Sequence, residues 1–182
     1  RELFRQARQL GIAALVYSGG EPLLRKDLFE IANMSKDMGF YNNLFTNGTL
    51  ITKDNAALII RYFDRISVSI DSFIEEENDC MRGAGVYKKA LQGIRYLRNL
   101  NGKVTCLGVV HPQNIDNALK SWDYFVNQMG CLTFMPQAYI PKEDACKDIQ
   151  ELEIFAKKYG KMRCKINYWN EINVLLKLCN NC

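Results

Sequence analysis

Histidine is the scarcest chemical resource of this 182-residue chain: there is one, His111. A metal centre built on several imidazoles is therefore excluded, and a lone histidine ahead of a proline reads as structural. Long hydrophobic runs are also missing. No stretch approaches the ~18 apolar residues of a membrane span, and no signal-peptide pattern opens the chain. Charge of one sign is nowhere concentrated. Lys and Arg number 24 against 20 Asp and Glu, a net charge of +4, and the basic residues are scattered rather than interleaved with aromatics. Neither a membrane nor a nucleic acid is expected as a partner. There is no internal repeat and no low-complexity linker.

Cysteine is present but not arranged as a secreted scaffold. The seven are Cys80, Cys106, Cys131, Cys146, Cys164, Cys179 and Cys182. The number is odd, and most stand singly in apolar surroundings, where a small buried thiol is the ordinary role. A reducing, cytoplasmic setting is expected. Only Cys179-Asn180-Asn181-Cys182 has the spacing of metal ligands. What remains is an ordinary globular composition, 48% hydrophobic and 24% charged, long enough for one domain with a sizeable core.

Strand and helix patterns alternate along the chain. Residues 1–10 place Leu3, Ala7 and Leu10 on one helical face, with Gly11 as the stop. Residues 13–17 read as a buried strand. Asp27 caps a helix to Met38 that turns Leu28, Ile31, Ala32, Ser35 and Met38 inward, and Gly39 ends it. A short strand, 43–46, is followed by the turn Asn47-Gly48 and a helix from Thr52 or Asp54 to Tyr62. Residues 65–70 form a β-branched strand, and 71–85 read as a loop whose acidic run, Glu75 to Glu77, is solvated. A helix follows at 86–100, then a strand at 103–110. One amphipathic helix is expected over 115–129, with Ile115, Ala118, Leu119, Trp122, Phe125, Val126 and Met129 on its stripe. A strand at 131–135, a helix at 148–159 stopped by Gly160, and a last strand at 162–168 complete the pattern. Repeated βα units with short apolar strands imply a parallel sheet, curved into a full or partial barrel or doubly wound.

The most informative stretch is Tyr17-Ser18-Gly19-Gly20-Glu21-Pro22, where a strand hands over to a helix. Adjacent glycines let a ligand approach backbone with no Cβ in the way. A phosphate cradle would follow its glycines with Lys-Ser/Thr. Here Glu21 follows, so free carbonyls beside a carboxylate suit an ammonium group instead. A tight turn is the plain alternative. The other unusual polar groups, Thr46-Asn47-Gly48, Ser69 to Asp71, His111-Pro112 and Pro136-Gln137, also follow strand interiors. In a parallel barrel such positions gather at the C-terminal mouth of the strands, where ligands bind. Each has an ordinary reading as well: a turn for Asn47-Gly48, a cap for Asp71, a surface cation for Arg82.

Ser18-Gly19-Gly20-Glu21-Pro22-Leu23-Leu24-Arg25, Phe45-Thr46-Asn47-Gly48-Thr49-Leu50, Ile66-Ser67-Val68-Ser69-Ile70-Asp71-Ser72 and Arg82-Gly83-Ala84-Gly85-Val86-Tyr87, with Gly93-Ile94 beyond, resemble successive blocks of the radical S-adenosylmethionine (SAM) enzymes. The likeness runs from Arg1 to about Gln137. It implies a partial (β/α)6 TIM-like barrel of parallel strands, truncated at its N-terminus. Residues 1–140 would be that barrel from its first helix onward. Residues 141–182 would be a last helix or strand and the start of a cysteine-rich extension. In the family a 4Fe–4S cluster on three cysteines reduces SAM, giving methionine and a 5′-deoxyadenosyl radical that abstracts a substrate hydrogen. Carried over residue by residue, Gly19, Gly20 and Glu21 would hold the SAM ammonium and Pro22 would shape that turn. Asn47 would line the same mouth, Ser69 and Asp71 would lie beside the ribose and carboxylate, and Arg82 would pair with the carboxylate.

The sequence departs from the family where the cluster is concerned. The Cys-x-x-x-Cys-x-x-Cys signature is absent, and Cys80, Cys106 and Cys131 stand too far apart to replace it. The chain is read as a fragment that begins just after the signature, with a degenerate, non-catalytic ligand- or peptide-binding barrel as the alternative. Cys179 and Cys182 look like the beginning of a SPASM or twitch extension, which carries auxiliary iron–sulfur clusters in peptide- and protein-modifying members; a zinc-stabilised structural pair is the other reading. The expectation is a maturase acting on a peptide or protein, served by an electron donor such as flavodoxin or ferredoxin. Molybdopterin-precursor cyclases, which share the Thr46-Asn47-Gly48 and Ser69-Ile70-Asp71 patterns, are the runner-up.

Overall fold

The computed structural model describes residues 1–139 and 153–167. Its elements in chain order are α1 (Glu2–Gln9), β1 (Ala14–Tyr17), a 3-10 turn (Pro22–Leu24), α2 (Leu28–Asp37), β2 (Tyr41–Thr46), α3 (Lys53–Tyr62), β3 (Arg65–Ser69), α4 (Glu75–Arg82), α5 (Val86–Asn99) and β4 (Val104–Val110). A helical run from Ile115 to Gln128, whose α-helical part is α6 (Ala118–Asp123), leads to β5 (Thr133–Ala138). Residues 153–167 form a last helix, α7. The strands make one sheet in the order β1-β2-β3-β4-β5, and β1, β2 and β3 pair in parallel. Each strand-to-strand connection therefore runs back through a helix, as a parallel sheet requires. No helix among the described residues is long and apolar enough to cross a membrane. By compactness the chain divides into one unit of 1–69 with 85–105 and a second of 70–84 with 106–182.

The first unit is organised by the two faces of β2 and β3. Leu44 pairs with Ile66 and Thr46 with Val68; all four are buried. Asn43 pairs with Arg65 and Phe45 with Ser67. By the two-residue period of a strand they lie on the opposite face, which continues to Ser69. Ile59 of α3 and Ile94 and Leu97 of α5 are fully buried as well, each contributing about 1.5–3 kcal/mol by leaving water. Thr52 starts α3 with a capping box: its hydroxyl accepts from Asn55 N, and Asn55 Oδ1 accepts from Thr52 N at 2.8 Å. Gly48 closes the turn after β2 at φ +77°, and a Cβ there would stand 2.7 Å from Val68 Cγ1 and 3.3 Å from Ala90 Cα. Both the backbone and the packing thus require glycine.

A buried polar network fixes β1. Asn42 donates to the carbonyls of Ala32 and Tyr62 at 2.9 and 3.0 Å. Its Oδ1 accepts from Ser35 Oγ at 2.9 Å. The Tyr17 hydroxyl lies 2.5 Å from Ser35 Oγ, and because Ser35 spends its proton on Asn42 or Ala32, Tyr17 is the donor. Burial pushes the Tyr17 phenol above its ordinary value, opposed in part by the Ser35 bond.

In the second unit Phe125 and Phe134 stack with ring centroids 5.8 Å apart, among the buried Ile115, Trp122, Cys131 and Ile166. A Cβ on Gly108 of β4 would collide with the Phe134 ring.

Several expectations change. Residues 13–17 do form a strand, but β1 is the edge of the sheet and Val16 is 59% exposed, because an edge strand has a neighbour on one side only. Leu3 and Leu10 of the α1 face are 74% and 80% exposed, and α1 buries no residue. The loop at 71–85 contains α4, begun by Glu75, Glu76 and Glu77, whose charges favour a helix N-terminus. The helix over 115–129 is instead a 3-10 turn, α6 and a π-turn from Tyr124 to Gln128 in succession; Ile115, Ala118, Trp122, Phe125 and Val126 of its stripe are buried, while Leu119 and Met129 are half-buried. Residues 162–167 are helix rather than strand: Met162 and Ile166, four apart, are both buried. That spacing outweighs the ~1 kcal/mol cost of Gly160 inside a helix. The boundary at 140 and the tail with Cys179 and Cys182 lie outside the described residues.

Gly48→Ala is expected to destabilise the protein by about 2 kcal/mol or more, read as a lower denaturation midpoint in urea. Tyr17→Phe is expected to cost about 1 kcal/mol at neutral pH. It also gives a pH signature. With the folded-state phenol raised, the unfolded chain ionises first, so wild-type stability is complete below about pH 10 and falls as pH rises above it; the Tyr17→Phe chain lacks that component of the decline.

Candidate functional site

In the first unit the site is built on the C-terminal ends of β1, β2 and β3. After Tyr17 the chain turns through Gly19 at φ +146°, a conformation that side chains rarely adopt. A Cβ on Gly19 or Gly20 would meet nothing within 4 Å, and both residues are exposed. Among the described residues, their carbonyls accept no hydrogen bond. Two acceptors thus stand open beside empty space.

The loop is held from the far side by Glu21. Its Oε1 accepts from Leu23 N at 3.1 Å, capping the turn that Pro22 begins, and from Thr46 Oγ1 at 2.7 Å. Its Oε2 accepts from Asn47 N at 2.8 Å. The Thr46 hydroxyl accepts in turn from Gly48 N at 3.0 Å. Asn47 Oδ1 takes the amide and hydroxyl of Thr49 at 2.9 and 2.7 Å, an Asx-turn. Its Nδ2 has no partner among the described residues, and neither has the half-buried Ser69 hydroxyl. The carboxylate of Glu21 is therefore engaged inside the protein. The groups this unit offers a ligand are the Gly19 and Gly20 carbonyls, the Asn47 amide and Ser69 Oγ.

In the second unit Asp71 and Arg82 meet. Arg82 Nη2 donates to Asp71 Oδ1 at 2.6 Å, with side-chain exposures of 21% and 1%. Val109 N of β4 donates to the same oxygen at 2.7 Å. The Asp71 amide donates to Asn78 Oδ1 at 2.9 Å, and Asn78 is fully buried. Arg82 ends α4 and is followed by Gly83 at φ +100°. Its Nε is buried without a partner among the described residues, a donor left unspent. His111 follows β4 and is 2% exposed. Its Nδ1 lies 2.6 Å from Gln113 Oε1, while Nε2 is buried without a partner among the described residues.

Sequence reasoning missed Asn78 and the part played by Glu77, which accepts from Ser72 Oγ and Asn117 Nδ2, both at 2.6 Å. The three acids ahead of Asn78 were the available signal, as a helix start. The four cysteines among the described residues supply no metal centre. Cys80 and Cys164 are exposed and Cys106 and Cys131 buried, the last two with sulfurs 3.7 Å apart. Burial, reinforced by Cys131, holds the Cys106 thiol well above its ordinary value, which makes it a poor nucleophile. No group of three or more His, Cys, Asp or Glu among the described residues could hold a metal ion, so a 4Fe–4S cluster does not fit them.

The Radical SAM superfamily model matches residues 1–122. The chain belongs to the radical SAM superfamily. It is 34% identical over 131 residues to the AdoMet-dependent heme synthase of Methanosarcina barkeri (strain Fusaro / DSM 804), a match covering 71% of this chain and 37% of that protein. The fold is shared with Streptococcus suis SuiB at a TM-score of 0.69 and 17% identity, over 89% of this chain and 40% of SuiB. It is shared as well with anSMEcpe bound to AdoMet, at 0.70 and 19% over 94% of this chain and 50% of that one. The radical SAM chain thus spans about half or less of the relatives it matches.

Glu21→Ala in this radical SAM chain removes the acceptor for Leu23 N, Thr46 Oγ1 and Asn47 N. It is expected to destabilise the protein by about 2–4 kcal/mol, measured by urea denaturation, with Glu21→Gln intermediate because an amide keeps one accepting oxygen.

Proposed function

We propose that this chain is the SAM-binding core of a radical SAM enzyme that modifies a peptide or protein. The observation that carries the reading is the pair of unspent carbonyls on Gly19 and Gly20, open to solvent and unobstructed by any Cβ. A cradle of acceptors repels phosphate and suits an ammonium, as the methionyl group of SAM carries. Asn47 Nδ2 and Ser69 Oγ add a donor and a hydroxyl from the same unit. In the second unit Arg82, whose side chain is 21% exposed, is the anion-seeking group, and the family resemblance gives it the SAM carboxylate.

Bound SAM supplies, on one-electron cleavage, the radical that abstracts a substrate hydrogen. The chain's own residues bind and orient it. Glu21 fixes the glycine loop through β2, so the carbonyls are aimed before the ligand arrives and little ordering is left to be done on binding. The family resemblance adds the reducing cluster, an auxiliary cluster with Cys179 and Cys182 among its ligands, and, as a partner, an electron donor such as flavodoxin or ferredoxin. The peptide reading draws on the resemblance to SPASM maturases. It is supported by two fold neighbours solved with peptides: SuiB with precursor peptide SuiA, and anSMEcpe with Kp18Cys peptide. The second reading is a heme-synthase reaction, which the 34% identical relative favours.

The test is anaerobic reconstitution of the full-length protein with iron and sulfide, then reduction in the presence of SAM. 5′-Deoxyadenosine above the enzyme-free control is expected. A loaded protein that does not bind SAM would overturn the proposal, and turnover of an iron-bound tetrapyrrole precursor would decide for the second reading. Gly20→Val carries the site assignment: the new side chain enters space that is empty in the protein, so the fold persists while SAM affinity falls about tenfold or more.

A further inference from the structure

The resemblance sets Asp71 beside the ribose and carboxylate of SAM, but its surroundings assign it another task. Its side chain is 1% exposed, and the partners it shows are protein groups. Oδ1 is occupied twice, by Arg82 Nη2 at 2.6 Å and Val109 N at 2.7 Å. Oδ2 takes no hydrogen bond among the described residues. Asp71 is itself anchored, its amide on the buried Asn78, which sits one turn before Arg82 on α4. Among the described residues Arg82 has no such second anchor. It is the last residue of α4, ahead of Gly83 in a conformation that releases the helix. Its Nε is unpaired. One carboxylate oxygen thus joins three elements: the end of β3, the end of β4 and the end of α4.

We propose that Asp71 is a positioning residue: through Oδ1 it aims the Arg82 guanidinium, leaving the remaining N–H groups for the carboxylate of SAM, and makes no contact with the nucleoside. The inference rests on the reading of Arg82 given above. The physical reason is the planarity of the guanidinium. With one Nη bonded in a fixed direction, the other N–H vectors are fixed as well. A long side chain at a helix end would otherwise lose rotamer entropy each time it met its ligand.

Two ligands separate the alternatives in the full-length, cluster-loaded protein: SAM, and 5′-deoxyadenosine, which has the nucleoside but no carboxylate. Affinities are measured by equilibrium dialysis. Arg82→Gln is expected to weaken SAM about tenfold and leave 5′-deoxyadenosine unchanged; if SAM is unaffected, the reading of Arg82 fails, and the task given to Asp71 with it. Asp71→Asn is expected to weaken SAM by a similar factor, to spare 5′-deoxyadenosine, and to add nothing in the double variant. Asp71→Glu keeps the charge and the pair but displaces the guanidinium by a methylene, so it is expected to lose SAM affinity while its melting temperature stays near wild type. It also serves if Asp71→Asn does not fold. With SAM still dependent on Arg82, the inference alone is overturned if an Asp71 variant weakens 5′-deoxyadenosine, if the double variant is additive, or if well-folded Asp71→Glu binds SAM as wild type does.

Discussion

The carboxylate of Glu21 is the constraint on which the ligand-facing part of the first unit depends. One side chain caps the turn at Pro22 and accepts from Thr46 and Asn47 at the end of β2. It therefore ties the loop after β1 to the loop after β2, two segments more than twenty residues apart in sequence. Without it, a loop with two adjacent glycines would have wide backbone freedom. With it, the glycines keep their openness and lose their mobility. Tyr17, the last residue of β1, is held to Ser35, which in turn bonds Asn42, so the strand is fixed where it enters the turn.

The second unit repeats the principle with other residues. Asp71, like Glu21, follows a strand and is occupied by the protein rather than displayed to a ligand. It collects a backbone amide from β4 and the guanidinium that ends α4. In both places the carboxylate is the organiser, and the groups left unspent are its neighbours: two glycine carbonyls in one case, arginine N–H groups in the other. A buried ion pair adds little net stability, because desolvation offsets the attraction. The geometry that such a pair imposes is its more valuable product.

Much of this was legible before any coordinates. The strands at β2, β3 and β4 and the helices α2, α3 and α5 follow from apolar spacing, and Thr52, Gly39 and Gly48 punctuate them as local chemistry dictates. The glycine–glutamate block stood out because its composition contradicts a phosphate loop. Other features were hidden for identifiable reasons. α4 was obscured because a polar eight-residue helix with one buried residue, Asn78, has no apolar period to read. The helical continuation through Gly160 was concealed by a residue that usually stops helices. The exposure of β1 and α1 depends on what lies beside them, which a run of apolar letters does not encode.

The sequence by itself determined the class of fold and singled out the glycine turn: alternating apolar strands and helices build a parallel sheet, and an acceptor-rich glycine turn is suited to a cation. Tertiary structure alone decided which polar atoms are free. Glu21, Asp71 and Arg82 read alike in sequence, as charged groups near a site. In the first unit Thr46 and Asn47 take up the Glu21 carboxylate, and in the second Val109 takes up that of Asp71, each from a distant part of the chain; among the described residues the Gly19 and Gly20 carbonyls and Arg82 Nε are left unspent. Hydrogen-bond capacity is finite, and the fold decides where it is spent.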